Sequence, residues 1–259
     1  MQTEWINVIY MNSDTVLITA PNKSGDPTSY TWEWGKKAES LARKLGYRVI
    51  FIEKDKVDYE NVSSAILEYR PRLYIHYGHG CSTTLVGQNE CIITRKFTLD
   101  ELLMMDNFQE IIQPLRYITG CKYMCQLEGM PDPCLPMCHN GTNVGLLKGM
   151  IVVAVACYTG GQLGKCAIKY GASSYFGEDD LLLFPTDTMK SETIFGDIQL
   201  IYIKELLEGG SVEEAEKKMN EYENTMIRHY KKTKYISLPI LWNKIHRKIH
   251  GNKDVRIFD

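Results

Sequence analysis

The chain has 259 residues and a mass of 29.7 kDa, with 44% apolar and 24% charged residues, so it can bury a sizeable core without disulfides or metal. Its 30 basic and 32 acidic residues leave a formal net charge of −2, so no global field marks it for nucleic acid or a membrane surface. The longest uninterrupted apolar run, residues 150–158, falls far short of the ~20 residues a membrane helix needs.

No basic segment followed by an apolar block opens the sequence, so no signal peptide is read and a cytoplasmic location is the expectation. In that compartment eight cysteines read as thiols, metal ligands or a nucleophile before they read as disulfides.

Residues 15–22, TVLITAPN, form a short β-branched run that ends in a turn cluster at 23–27, which predicts a buried strand and a loop. Residues 30–45 are helical: Trp34, Ala38, Leu41 and Leu45 recur at spacings of three and four, and Gly46 stops them. A second strand is predicted over 48–55 and a second helix over 59–69, ended by Pro71. The third strand, 72–80, reads RLYIHYGHG. Strand, helix and strand in short alternation imply a parallel sheet with right-handed crossovers.

The middle is less regular. Residues 83–97 predict a hairpin turning at 87–90, and 99–108 a short helix. Residues 121–141 are rich in Cys, Pro and Gly and read as a compact loop insertion. The sheet pattern resumes with an apolar strand over 149–157, a helix over 161–170 and a strand over 173–177. The last third is mostly helix, over 191–208, 211–229 and 239–250; Ser211 followed by Glu214 is a capping box. No repeat interrupts this order, so a single domain is expected, with an insertion at about 119–142 and a helical part at about 190–259.

Ligands and catalytic groups gather at the carboxyl edge of a parallel sheet. Two strands end there in reactive residues: the third in Gly78-His79-Gly80, the fourth in Ala156-Cys157-Tyr158-Thr159. Either residue alone is more often structural. As a pair, histidine and cysteine can make a nucleophile with its proton carrier. The Gly80 and Cys157 N–H groups are candidate donors to an oxyanion. His76 is the competing histidine, but it sits inside the strand and lacks the following glycine.

These two blocks, LYIHYGHG and IVVAVACYTGG, resemble the caspase-fold cysteine peptidases, the group that holds caspases, legumain, clostripain, gingipain and separase. LGKCAIKYGASSYFGEDD is similar to the helix and strand that follow the nucleophile in some members. The resemblance implies a caspase-like three-layer α/β sandwich, a mostly parallel sheet flanked by helices. It implies a cysteine endopeptidase with His79 as catalytic histidine, Cys157 as nucleophile, Gly80 and Cys157 as oxyanion donors, no cofactor for catalysis and a protein or peptide as substrate. The rival readings are a catalytically silent scaffold of this fold and a nucleic-acid-binding or partner-binding α/β protein. No glycine-rich phosphate motif supports the last.

In relatives, acids near the nucleophile select Arg or Lys as the first substrate residue (P1). Asp179 and Asp180, just past the fifth strand, are the candidates here, against the plainer reading of a solvated turn. Cys121, Cys125, Cys134 and Cys138 form two pairs within a Pro-rich loop and read as a structural zinc site, against buried thiols or disulfides. Residues 224–253 hold eight Lys or Arg and no acid; a solvated helical face is the plainer reading and nucleic-acid contact the weaker.

Overall fold

The computed structural model describes residues 12–88, 91–94, 143–185 and 189–259. β1 (Asn12–Ala20), α1 (Thr28–Lys44), β2 (Arg48–Glu53), α2 (Tyr59–Tyr69) and β3 (Pro71–Tyr77) follow the strand-helix alternation of the sequence. Asp58 caps α2, its side chain accepting the Asn61 N–H, and Arg70 ends it in a left-handed turn before Pro71.

The expected third strand is broken at Gly78. Beyond it, β4 (His79–Cys81) pairs with β5 (Thr84–Val86) and β5 with β6 (Cys91–Thr94) in a separate antiparallel sheet. The main sheet resumes with β7 (Ile151–Val155), α3 (Gln162–Lys169) and β8 (Ser174–Glu178). Then come α4 (Met189–Leu207), α5 (Val212–His229), α6 (Lys234–His246) and β9 (Arg247–Gly251). Both bonds of the α5 capping box are made, between Ser211 and Glu214. The helix expected over 99–108 and the loop over 121–141 lie outside the described residues.

The strand order is β2-β1-β3-β7-β8-β9, parallel throughout except for the antiparallel β8–β9 pair. Alternation along the strands divides the core in two. Val16, Ile18, Leu73, Ile75, Val153 and Val155 face one side and pack with Trp34 of α1 and with α4, α5 and α6. Leu17, Tyr74, Val152 and Ala154 face the other side and pack with α2 and α3. Helix, sheet and helix make three layers.

The last helix corrects the sequence reading. The helix expected to run to residue 250 stops at His246, and the chain continues as edge strand β9. Two forces draw it out. Its backbone forms a ladder with β8, from Glu178↔Arg247 to Ser174↔Gly251. Its first side chain, Arg247, is buried and makes a two-pronged pair with Glu223 of α5, both bonds 2.8 Å. Other cations of the basic stretch are paired with acids at the surface: Lys248 meets Asp179, and Lys253 meets Glu216.

Candidate active site

The sheet order explains why three distant segments meet. β1, β3 and β7 are neighbours, parallel, and end at one edge. Asp26 lies in the loop after β1, His79 just past β3 and Cys157 just past β7. The segment 181–184 follows the next strand, β8, at the same edge.

His79 is nearly buried, and its Nε2 lies 2.8 and 3.0 Å from the two carboxylate oxygens of Asp26. Asp26 also accepts the Thr28 N–H at 2.8 Å, an Asx-type turn that opens α1 and fixes the carboxylate. Burial works to raise the Asp26 carboxyl, but the hydrogen bond and charge of His79 and the bonds from Thr28 outweigh it and hold it below its ordinary 3.8. An ionised carboxylate only accepts. Nε2 therefore carries the hydrogen, and in the neutral ring Nδ1 keeps its lone pair.

His79 and Cys157 line the same pocket, a cavity of about 170 Å³. Cys157 sits at the head of a tight turn in which Tyr158 takes φ +60°, unusual for a bulky residue. Four bonds hold that turn. Tyr158 N–H donates to Asp180 O at 2.9 Å and Gly160 N–H to Glu178 O at 2.7 Å. Thr159 Oγ1 donates to Ala156 O at 3.1 Å, and His250 Nε2 to Gly160 O at 2.6 Å. Burial pushes the Cys157 thiol from its ordinary 9.0 up to about 11. The Leu182 N–H, 3.3 Å from Sγ, acts against this rise, while the Glu178 and Asp180 charges add to it. At neutral pH the resting sulfur is a thiol, so it needs a base at the moment of attack.

His76 is fully buried and away from the pocket lining. Its Nε2 donates to the His79 carbonyl at 3.2 Å, which leaves Nδ1 to accept from Thr19 Oγ1 at 2.9 Å. Burial pushes its pKa down to about 4, so it stays neutral and braces the turn that presents His79. His76→Ala is expected to destabilise the fold by about 2–3 kcal/mol, since it leaves a cavity and strips two buried hydrogen bonds. Chemical denaturation measures this loss.

Gly80 packs against the nucleophile turn rather than lining the pocket. A Cβ there would overlap the Thr159 methyl and stand 3.0 Å from both Ala156 Cβ and Cys157 O. This close approach, absent from the sequence argument, is a packing reason for glycine after the histidine. Gly80→Ala is expected to cost about 1–3 kcal/mol of stability and to displace Cys157 relative to His79, so melting temperature and activity should fall together.

The two acids past β8 sit outside the pocket lining. Asp179 Oδ1 is 2.9 Å from His246 Nδ1 and its Oδ2 is 3.0 Å from Lys248 Nζ. Asp180 accepts the Leu181 N–H at 2.7 Å and lies 3.8 Å from His246 Nδ1. Cys121, Cys125, Cys134 and Cys138 lie outside the described residues. Among the described residues no group of three or more His, Cys, Asp or Glu could hold a metal ion, and Cys81, Cys157 and Cys166 are not joined in disulfides. No helix among the described residues is long and apolar enough to cross a membrane.

The sequence reading missed Asp26. It falls in a turn cluster where an acid is ordinary, and only the β1–β3 adjacency brings it to His79.

Solved structures of similar fold exist. A crystal structure of the Arg-specific cysteine proteinase gingipain R aligns over 95% of this chain and 49% of its own, with TM-score 0.52 and 13% identity. The fold is caspase-like. A complex of the pro- and mature domains of Porphyromonas gingivalis RgpB aligns over 94% of this chain and 48% of its own, with TM-score 0.50 and 13% identity. This caspase-like chain spans about half the length of the structures it matches. No family profile and no curated protein matches its sequence. At this identity the likeness carries the architecture, not the role of any residue.

Proposed function

We propose that this caspase-like chain is a cysteine endopeptidase that works through Cys157, His79 and Asp26. The observation that carries the reading is the shared pocket of Cys157 and His79, with the Asp26 carboxylate on Nε2 of the imidazole. Asp26 fixes the tautomer, so Nδ1 is the base.

In the first step His79 Nδ1 takes the thiol proton as Sγ attacks the scissile carbonyl carbon. The C=O electron pair moves to oxygen, where the Gly80 and Cys157 N–H groups are the proposed donors. The C–N bond then breaks, and the imidazolium gives its proton to the leaving amine. A thioester remains. Water attacks it, losing a proton to Nδ1; the C–S bond breaks and the thiol is restored. No cofactor enters this scheme. Asp26 accepts from Nε2–H throughout and stabilises the imidazolium.

A second reading draws on the proton-bound thiol: a silent scaffold that binds partners through the same edge. One experiment separates the two. A complex peptide mixture is incubated with wild type and with Cys157→Ala, and new termini are read by mass spectrometry. Cleavage by wild type alone supports the peptidase. No new termini from folded wild type supports the scaffold.

A further inference from the structure

The pocket that holds the proposed nucleophile has a wall built for an uncharged guest. We propose, resting on the peptidase reading above, that the substrate side chain on the acyl side of the scissile bond is apolar and of leucine or methionine size.

The wall is the segment 181–184, three leucines and Phe184, which lines the cavity together with Pro27 and Thr31. Side-chain and backbone bonds hold this segment in place. Asn243, itself buried, accepts the Leu183 N–H at 2.8 Å and donates to Leu183 O at 2.7 Å. Trp242 Nε1 donates to Leu181 O at 3.0 Å, and Leu182 N–H reaches the nucleophile itself. Phe184 packs edge-on against Trp34, with ring centroids 4.9 Å apart. The wall is thus preformed, and little ordering is left for a guest to induce.

Charge decides the class of guest. The titratable groups in the lining are His79 and Cys157, both engaged in the proposed chemistry. No carboxylate is among the residues that line the cavity. Asp26 is bound to His79 and Thr28. Asp179 is held by His246 and Lys248, and Asp180 by the Leu181 N–H. Glu178 is buried beside Arg247 and Glu223, and burial pushes its carboxyl up to about 8. A guanidinium or ammonium in the cavity would lose water and find no free carboxylate. An aspartate would find no cation except the imidazole. A Leu or Met side chain gains apolar contact on the leucine wall at no such penalty. The cavity of about 170 Å³ has room for a side chain of that size.

Three peptidyl acyloxymethyl ketones with one warhead, differing only in P1 as Leu, Arg or Asp, test this on the full chain. The rate of adduct formation at Cys157 is read by mass spectrometry. The P1-Leu reagent is expected to react at least about 100-fold faster than the other two. Faster labelling by P1-Arg or P1-Asp overturns the apolar pocket and leaves the peptidase reading standing. No adduct at Cys157 with any peptide, from protein that iodoacetamide still alkylates there, overturns both. Leu183→Asp sets a carboxylate on the wall and is expected to raise the Arg-to-Leu labelling ratio at least about tenfold. An unchanged ratio in the folded variant overturns the assignment of this wall to the P1 side chain. If that variant fails to fold, the wild-type profile decides alone.

Discussion

Cys157→Ala and His79→Ala are each expected to reduce peptide cleavage by about 10⁴-fold or more, and the double variant to be no worse than either single. The reason is that the two side chains act as one unit. The thiol is proton-bound at rest because burial pushes it up to about 11, so without His79 there is no base to make the nucleophile. Without sulfur the imidazole has no proton to carry. Cys157→Ala should melt close to wild type, while His79→Ala also loses the pair with Asp26 and should melt lower but still cooperatively. The measurement is kcat/KM on a peptide cleaved by wild type, with the melting curve alongside. Activity retained by His79→Ala and lost by a folded His76→Ala would reverse the assignment of the histidine.

The second large effect belongs to Asp26. Asp26→Asn is expected to lower kcat by about 10²–10⁴-fold with little change in KM. The carboxamide keeps an oxygen for the Thr28 N–H, so the turn before α1 survives. Its NH₂ can donate to Nε2 of His79, which favours the tautomer with hydrogen on Nδ1. That nitrogen can then no longer take the thiol proton. Asp26→Glu keeps the charge and should recover part of the rate.

Stability gives an independent readout. The Asp26 carboxyl is held below its ordinary 3.8 in the folded chain. A depressed acid contributes stability that is present above about pH 4 and lost as the pH falls through the lower folded value. The gap in melting temperature between wild type and Asp26→Asn should therefore narrow as the pH drops below about 4. A gap independent of pH would show that the pair with His79 contributes nothing through charge.

The sequence by itself determined the local elements and the two reactive strand ends. Apolar runs mark β1 and β7, whose two faces are both buried, and spacings of three and four mark α1 and α2, which bury one face, so burial leaves its trace in the order of residues. The capping box at Ser211 and Glu214 is likewise local. His79 and Cys157 were legible because each follows an apolar strand, where an open sheet keeps its chemistry.

What joined them was not local. Strand order β2-β1-β3-β7 is a property of the sheet, and it alone turns Asp26 from a loop acid into the partner of His79. The same holds for Asp179: adjacent to the site in sequence, it is drawn off by His246 and Lys248, which arrive from the far end of the chain. Strand β9 was hidden because its residues keep a helix-like spacing after Trp242. The ladder to Glu178 and the buried pair of Arg247 with Glu223 override that spacing, and neither partner is a neighbour in sequence. Side-chain pattern records which face is buried, but it does not record what lies against it. Tertiary packing alone decided which loop acid meets the histidine and which side chains wall the pocket.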